Sequence, residues 1–259
     1  MVAEDLVAVA GSLTLGDLSV EDADVVFDQQ DSGCLSWGVT AAGRRWFVKE
    51  ATTANAEQSL ANCLRFHQAV RHDAIVRPVR AFDARRVTLL YPWVQGVVLN
   101  SATVAGSDRD GLDRFRSLPV EPVLGAISMV LDAHQRVTAA GFVAIDFYDG
   151  CLLYDFDRLV VRLIDLDEYR SGPFVLEDER LPGSRSYMAP EESQRGAMID
   201  ERTTVFNLGR MIQHLLDTPA GWRGSTEQAS IVSRATDAAP GRRFRTVPEL
   251  TTAWLDSLV

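Results

Sequence analysis

Cysteine is scarce in this 259-residue sequence and occurs only at positions 34, 63 and 151. An odd number of cysteines without C-x-x-C spacing argues against both a disulfide framework and a structural zinc site. The histidines at positions 67, 72, 134 and 214 form no pair with the spacing of metal ligands. This cysteine usage is typical of a reducing compartment, so we expect a cytoplasmic protein.

Basic residues are also few, with 26 Lys and Arg against 36 Asp and Glu and a formal net charge of −10. Nucleic acids and anionic membranes attract basic surfaces, so we expect neither as the main partner. The first residues have no basic segment before their short apolar run, and Glu4 and Asp5 disfavour a secretory signal. The sequence contains no apolar stretch long enough to span a bilayer.

The first ninety residues have the patterns of a sheet with one helix. Alternating apolar residues predict strands in DVVFDQQ and GRRWFVKEA, joined in hairpin fashion through SGCLSWGVTAAG, and two later strands in AIVRPVRAF and RRVTLLYPWV. Between these pairs of strands, apolar residues recur at helical spacing from Leu60 to Val70, with Asn55 as a candidate N-cap and Gln58 three residues later.

The pattern changes near residue 94, and the rest of the chain is mostly helical. The charged segment DRDGLDRF is expected to be a loop, whereas EPVLGAISMVLDAHQRVTAAG predicts a long amphipathic helix that ends at Gly141. Two short apolar segments follow, around Asp146 and Asp165, with a turn at YDFDR between them. The last seventy residues contain a helical stripe of Val205, Leu208, Ile212 and Leu215. The predicted class is α+β, with one large domain or two lobes.

One lysine and two aspartates are the candidates for chemistry. Lys49 ends the apolar run Trp46-Phe47-Val48, and a lysine on a strand is most often a solvated charge unless acidic groups accompany it. Asp146 and Asp165 stand nineteen residues apart, each at the end of a short apolar segment. Two such carboxylates can converge on one site, where one orients or deprotonates a hydroxyl and the other holds Mg²⁺ on a nucleotide.

Six segments, in order, resemble the eukaryotic-type Ser/Thr protein kinase family in its bacterial branch. They are HDAIVRPV, LLYPWVQGVVL, AAGFVAID, IDLD, GSRSYMAPEE and APGRRFRTVPEL. The resemblance runs from about residue 26 to the C-terminus and implies a bilobal protein-kinase-like fold. It divides the chain into an N-terminal extension over 1–25, a small β-rich N-lobe with one helix over 26–93, and a larger helical C-lobe over 94–259.

The resemblance also implies a function, the transfer of the γ-phosphate of ATP to a Ser or Thr hydroxyl of a protein or peptide, with Mg²⁺. The implied roles are Asp146 as catalytic base, Asp165 as metal ligand, Lys49 and Gly33 at the phosphates, Tyr91 as gatekeeper, Val94 at adenine, and Glu191 with Arg243 as a structural ion pair. Gly33 is the one clear glycine of a shortened glycine-rich loop over residues 31–36.

The sequence departs from the family pattern at functional positions. Ala144 and Ile145 replace His and Arg, Tyr148 replaces a phosphate-steadying Lys, Cys151 replaces a metal-binding Asn, and Thr204 replaces the Asp that opens a core helix. The candidates for a second metal ligand are Asp149, Asp155 and Asp167. Glu57 is either the helix partner of Lys49 or an acid that complements the helix dipole.

Three functional hypotheses follow from these observations. The first is an ATP- and Mg²⁺-dependent protein kinase, favoured because Lys49, Asp146 and Asp165 are all retained. The second is a pseudokinase that binds a nucleotide or a partner. The third is a small-molecule kinase, although such enzymes usually lack the Ala-Pro-Glu segment found here at 189–191.

Overall fold

The computed structural model describes residues 3–28, 32–83, 85–103 and 106–259, and shows a mixed α and β protein. The helices are α1 Ala3–Ser12, α2 Ala54–Ala69, α3 Asp110–Arg116, α4 Val120–Ala139, α5 Glu201–Leu216, α6 Thr226–Ala235 and α7 Val247–Asp256. The strands are β1 Val25–Phe27, β2 Cys34–Ala41, β3 Arg44–Ala51, β4 Arg80–Asp83, β5 Val87–Pro92, β6 Val97–Val98, β7 Ser101–Thr103, β8 Gly106–Asp108, β9 Phe142–Val143, β10 Leu152–Asp155, β11 Val160–Leu163, β12 Arg170–Ser171, β13 Phe174–Val175, β14 Met198–Ile199, β15 Asp217–Thr218 and β16 Gly221–Trp222. None of the helices in the described ranges is long and apolar enough to cross a membrane.

The chain divides into two compact units. The first unit comprises Met1–Gln68, Val76–Gln95 and Ala102–Gly106, and the second comprises Ala69–Ile75, Gly96–Ser101 and Ser107–Val259. Gln29 and Gln30 of the first predicted strand and Asp31 of the predicted glycine-rich loop lie outside the described residues.

The first unit is built on a five-stranded antiparallel sheet in the order β1-β2-β3-β5-β4. The segment predicted to connect the first two strands forms β2 itself, which pairs along its whole length with β3. Only Ala42 and Gly43 make the turn, with φ of 49° and 70°. Two successive positive φ angles are typical of the hairpin turn whose twist matches that of the flanking strands.

The helix predicted after β3 is present as α2, but its N-cap differs from the expected one. Asn55 lies inside the helix, and Thr53 takes the capping place, since its Oγ1 accepts from the Ala56 amide at 3.2 Å. A Thr hydroxyl just before the first turn satisfies an amide that has no helical partner. The buried face of α2, with Leu60 and Cys63, packs against one face of the sheet.

Residues before β1 cover the opposite face of the sheet. Leu13 and Leu18 are buried in a cluster with Trp37, whose indole Nε1 donates to Leu18 O at 2.9 Å. The Nη1 of Arg80 donates to the carbonyls at the end of α1, including Ala10 O at 2.8 Å. Each fully buried leucine contributes about 1.5–3 kcal/mol. The segment described from sequence as an extension therefore packs as part of the first unit.

Two element predictions were wrong in detail. The strand expected over 74–82 is confined to β4, because Pro78 has no amide hydrogen to donate to a ladder. The segment DRDGLDRF, expected to be a loop, contributes to helix α3. Among its charged residues are two apolar ones at helical spacing, Leu112 and Phe115, and both side chains are buried.

The second unit is organised around α4, which packs against α5 and α7. The stripe predicted in the last seventy residues lies in α5, and all four of its side chains are buried. Strands β10 and β11 lie between the two aspartates along the chain and form a small sheet with β6 in the order β11-β10-β6, with Leu152 paired to Leu163 and Leu153 to Val98. This hairpin returns the chain so that Asp165 follows β11 as Asp146 follows β9.

Candidate functional site

Asp146 and Asp165 both lie just beyond short strands of the second unit. Their φ angles are 57° and 58°, in the left-handed region that residues other than glycine rarely adopt. Each such residue costs about 1–3 kcal/mol, and aspartate tolerates the conformation better than most side chains. Two aspartates in this conformation, each after a short strand, are candidates for a functional site.

The thiol of Cys151 brings these two aspartates together. Its Sγ lies 3.4 Å from Asp146 O and 3.8 Å from Asp165 O and donates to these carbonyls. Burial and then the charges of Asp165 and Asp146 raise the pKa of this thiol well above its usual value. Cys151 is therefore a neutral thiol whose single hydrogen lies within reach of both backbone carbonyls.

Tyr148 lies between these aspartates along the chain, with its ring folded over Gly150. A Cβ atom added at Gly150 would lie 2.4 Å from Cε2 and Cζ of that ring, so a larger residue there would force the Tyr148 ring to move. Burial, followed by nearby negative charges that include Asp165 and Asp146, raises the pKa of the Tyr148 phenol well above its usual value. The phenol therefore remains a neutral hydroxyl beside the site.

Asp149 is the most deeply buried carboxylate of this loop, with 0% of its side chain exposed. Its Oδ1 accepts from Asn100 Nδ2 at 2.9 Å, and its Oδ2 lies 3.6 Å from Arg109 Nη2. Burial and then the charge of Asp149 raise the pKa of the Tyr187 phenol well above its usual value. These contacts explain the burial of the Asp149 carboxylate without a role as a metal ligand.

Gly183 lies directly against Asp146. A Cβ atom at Gly183 would be 3.5 Å from Asp146 Cα and 3.6 Å from Asp146 Oδ1, and Gly183 has a φ of 139°. The segment that contains the Ala-Pro-Glu motif thus begins beside the candidate base. A side chain at position 183 would enter the space in front of the Asp146 carboxylate.

Ile145 packs in an apolar cluster. The cluster consists of buried Val143, Ile145, Leu176, Leu181 and Ile199, with Phe174 and Met188 at its edge. It joins the residues before Asp146 to the segment 174–188. Thr204, which stands where the resemblance expects Asp, accepts from the Ala144 amide through Oγ1 at 3.0 Å and so supports the same turn.

Glu191 and Arg243 are brought together as a buried ion pair. Arg243 Nη1 and Nη2 donate to Oε1 and Oε2 of Glu191 at 2.6 and 2.9 Å, and Thr203 Oγ1 donates to Oε1 at 2.9 Å. Arg243 also donates to Arg202 O, which lies in α5. The pair therefore ties the Ala-Pro-Glu segment to the helices of the second unit.

Glu192 is a buried acid that the sequence reasoning overlooked. Its Oε2 accepts from the Ala189 amide at 2.6 Å and from Asn207 Nδ2 at 2.9 Å. Burial raises the pKa of Glu192 to about 7, although these hydrogen bonds oppose the shift. The overlooked signal was a second acid beside Glu191 at the start of a short helical turn, Pro190–Ser193.

The candidate nucleotide residues of the first unit lie on or next to its sheet. Lys49 is 4% exposed and pairs with Ser36 and Leu89 on the neighbouring strands, so it is not a solvated surface charge. Val94 follows β5 and is half-buried. Tyr91 OH lies 3.4 Å from the Cys63 thiol.

Gly33 and Glu57 both lie near the start of α2: Glu57 is in its first turn, and Gly33 lies against Thr53, which precedes the helix. Gly33 has a φ of 70°, and its carbonyl accepts from the Thr52 amide at 2.8 Å. A Cβ atom at Gly33 would lie 2.5 Å from Thr53 Oγ1. The close packing against Thr53 therefore favours glycine here, independently of the predicted role at the phosphates. Glu57 lies in the first turn of α2 and is half-buried, and its pairing with Lys49 stays a prediction.

The role of Asp165 as the Mg²⁺ ligand stays a prediction, and a single carboxylate suffices for it where substrate phosphates and water supply the remaining ligands. Asp155 is committed elsewhere, because it accepts from Arg158 Nη1 at 2.9 Å and from backbone amides of the same turn. Asp167 is buried, and its role as a ligand stays a prediction. Within the described ranges, no group of three or more His, Cys, Asp or Glu side chains could hold a metal ion.

Comparison with known proteins adds no assignment to this geometry. No protein-family model matches the sequence, and no curated protein gives a significant match.

Proposed function

We propose that this protein is a divergent protein-kinase-like phosphotransferase, which moves the γ-phosphate of ATP to a Ser or Thr hydroxyl of a protein or peptide. In this proposal, its two compact units correspond to the small and large lobes of a bilobal protein-kinase-like fold. The observation that supports it best is the convergence of Asp146 and Asp165 on the Cys151 thiol, within 3.4 and 3.8 Å of their carbonyls.

Each candidate residue has a role that its chemistry suits. Asp146 is half-buried and orients the acceptor hydroxyl and takes its proton. Asp165 holds Mg²⁺, which when bound neutralises charge on the phosphate oxygens. Lys49 is a buried cation on a strand, suited to the phosphates. In this proposal Gly33 also approaches the phosphates, Tyr91 is the gatekeeper and Val94 contacts adenine.

The support for a protein or peptide acceptor comes from the segment 183–192. It begins at Gly183 beside Asp146 and is fixed at its far end by the ion pair between Glu191 and Arg243. A segment held at both ends offers an ordered main chain against which an extended peptide can lie. Ser and Thr are the acceptors that the sequence resemblance implies.

The environment of Cys151 supports a second candidate, a pseudokinase that binds a nucleotide or a partner without transfer. A neutral, fully buried thiol that donates to two carbonyls supplies no oxygen to Mg²⁺. The loss of one metal ligand lowers transition-state stabilisation, and a tenfold loss in rate corresponds to about 1.4 kcal/mol.

Thermal unfolding with ATP, in the presence and absence of Mg²⁺, tests both candidates. Ligand at a hundred times its Kd stabilises by about 2.7 kcal/mol, so we expect the midpoint to rise by about 5 °C with Mg²⁺ and ATP together. A rise that does not depend on Mg²⁺ supports the pseudokinase. A chain that ATP does not stabilise under either condition contradicts the kinase and the nucleotide-binding pseudokinase, and leaves only a pseudokinase that binds a partner.

Transfer of radiolabelled γ-phosphate to a degenerate Ser/Thr peptide library then separates the enzyme from the binding module. We expect label on peptides with the wild-type chain and none with Asp146→Asn. Asp157→Asn, which changes an exposed carboxylate in the turn between β10 and β11, is the matched control and should transfer normally. Label found only on a small hydroxyl compound would instead support a small-molecule kinase.

A further inference from the structure

Glu192 is a wholly buried acid whose carboxyl bonds only to uncharged donors. Its side chain is 0% exposed, and its Oε2 accepts from the Ala189 amide at 2.6 Å and from Asn207 Nδ2 at 2.9 Å. Arg243, the cation whose charge reaches it, binds the two oxygens of Glu191 with both Nη atoms. A buried charge is costly unless it is paired, so an ionised Glu192 would be unfavourable here.

Two buried oxygen atoms at this contact lack a hydrogen-bond donor. Glu192 Oε1 and Asn207 Oδ1 have no partner among the residues that the structure describes. A carboxylate and an amide oxygen only accept hydrogen bonds, so an ionised Glu192 leaves both atoms without a donor. A protonated carboxyl adds one O–H group at this place and removes the buried charge. The contacts therefore favour the neutral acid, and burial raises the pKa of Glu192 to about 7.

Glu192 and Asn207 also hold the segment 183–192 against helix α5. Asn207, which lies in α5, donates through Nδ2 to Tyr187 O at 3.1 Å as well as to Glu192. The Leu181 amide donates to Glu192 O at 2.9 Å, so Glu192 also contacts the residues that precede the segment. Movement of this segment away from α5 would break the bond to Asn207 and bring the Glu192 carboxyl into water.

Opening of the segment is consequently coupled to the release of a proton, whichever other contacts hold the segment closed. The pKa of a glutamate in water is 4.5, so at neutral pH Glu192 is ionised in the open segment. In the closed segment its pKa is about 7, because the carboxyl is buried. Since a rise in pH favours the state that binds fewer protons, it favours the open segment.

The other charged groups around the segment do not explain such a coupling near neutral pH. The charge of Glu191 raises the pKa of Glu192 and that of Arg243 lowers it, and these two side chains form the ion pair described above. On α5, Arg210 and His214 contact the segment at residues 186 and 187. Burial lowers the pKa of His214, so it is mostly neutral above pH 6.5.

We infer that Glu192 is a proton-dependent switch, which carries a proton while the segment 183–192 is packed against α5 and releases it when the segment opens. The segment is therefore closed more firmly in mild acid than in mild base. This inference concerns a conformational change of the fold and does not depend on the proposed phosphotransferase function.

Carbon-13 NMR of protein labelled at the glutamate carboxyl carbons tests the proton itself. We expect one resonance to titrate near pH 7, to be missing in Glu192→Gln and to remain in Glu179→Gln. The latter is the matched control, since the Glu179 side chain is 88% exposed. The titration is measured on the wild-type chain, and the two variants serve only to assign the resonance.

Limited trypsin digestion between pH 6 and pH 8.5 tests the coupling to the segment. Arg185 is exposed within the segment, and cleavage after it reports opening. The ratio of the cleavage rates of wild type and Glu192→Gln, taken at each pH, cancels the pH dependence of trypsin and of His214. With pKa values of 4.5 and about 7 in the open and closed segment, we expect this ratio to rise about tenfold over the range.

The ratio of wild type to Glu179→Gln should stay constant over the same range, because an exposed carboxyl is already ionised at pH 6. A Glu192 carboxyl that is ionised at pH 6, or a ratio of wild type to Glu192→Gln that does not change with pH, would overturn the inference. Neither measurement uses ATP or an acceptor, so either result leaves the proposed function as it stands.

Discussion

Arg243 binds both carboxylate oxygens of Glu191, with Nη1 2.6 Å from Oε1 and Nη2 2.9 Å from Oε2. The guanidinium is 0% exposed and also donates to the backbone carbonyl of Asp237. A planar guanidinium suits this arrangement because its paired donors match the two oxygens of a carboxylate. The interaction joins residues 52 positions apart in sequence and closes the second unit around the Ala-Pro-Glu segment.

Replacement of Arg243 by alanine should destabilise the protein by about 3–5 kcal/mol, because Glu191 would remain buried with an unpaired charge. The free energy of unfolding in urea measures this effect. Arg195→Ala is the matched control, since its ion pair with Glu179 spans 3.7 Å and both side chains are largely exposed. We expect that control to change stability by less than about 1 kcal/mol. A near-zero loss in Arg243→Ala would contradict the structural role.

Glu192 should make stability depend on pH. Its pKa is raised by burial to about 7 in the folded protein, against 4.5 for the free side chain, so the folded state binds more protons than the unfolded state between these values. Stability from this group is therefore present below pH 4.5 and is lost as the pH rises through 7. A shift of this size corresponds to about 3 kcal/mol.

Glu192→Gln should remove this dependence and raise stability at pH 8 by about 2–3 kcal/mol relative to wild type. Glu192 Oε1 and Asn207 Oδ1 have no hydrogen-bond partner among the residues that the structure describes, and a glutamine amide would add a donor there. Urea unfolding of both proteins at pH 5 and pH 8 is the measurement. His134 is buried, and burial lowers its pKa to about 4. It therefore lowers the stability of the protein towards acid, by the same amount in wild type and variant, and its effect cancels when the two are compared. An unchanged difference between the two pH values would show that Glu192 is not the group responsible.

Local sequence patterns predicted those parts of the fold in which the spacing of apolar residues specifies the secondary structure. The mixed α and β class, helix α2 and the buried stripe of α5 follow from apolar spacing that tertiary contacts reinforce. Helix α3 was missed because its first turn is charged and only Leu112 and Phe115 face inward. The packing of Leu13 and Leu18 on the sheet could not be predicted, because it depends on a distant partner, Trp37.

The candidate site shows the same division between local and long-range information. Sequence spacing alone suggested that Asp146 and Asp165 could converge, and the structure brings their carbonyls to one thiol. The surroundings of Asp149 could not be read from the sequence, because Asn100, Arg109 and Tyr187 come from three separate segments. Conformations such as the positive φ of Asp165 also depend on tertiary contacts that no residue pattern encodes.

Transfer activity should not require phosphate on the segment 171–186. A phosphate there would need a cation next to Asp146, and the adjacent residue is Ile145, buried among Leu176 and Leu181. Phosphatase treatment of the purified protein should leave kcat unchanged within about twofold, even if mass spectrometry finds phosphate on Ser171, Ser184 or Ser186. Loss of turnover on treatment would contradict this prediction. Arg210, which donates to Ser186 O, would then be the cation to replace.

Replacing Asp165 and replacing Cys151 should change Mg²⁺-dependent activity in opposite directions. Asp165→Asn keeps a side chain that tolerates a φ of 58° but removes the only carboxylate that the resemblance assigns to the metal. We expect it to abolish phosphate transfer and the Mg²⁺-dependent part of ATP stabilisation, with the fold preserved.

Cys151→Asn provides an amide that can donate to the Asp146 and Asp165 carbonyls as the thiol does, and leaves its oxygen for Mg²⁺. Turnover should rise, or saturate at lower Mg²⁺, in that variant. Cys151→Ser, which keeps a donor but is too short to add a ligand at the same place, is the matched control and should behave as wild type. If Asp165→Asn and Cys151→Asn both leave metal-dependent ATP binding and transfer unchanged, the phosphotransferase has no metal site at this position, and the pseudokinase becomes the better description.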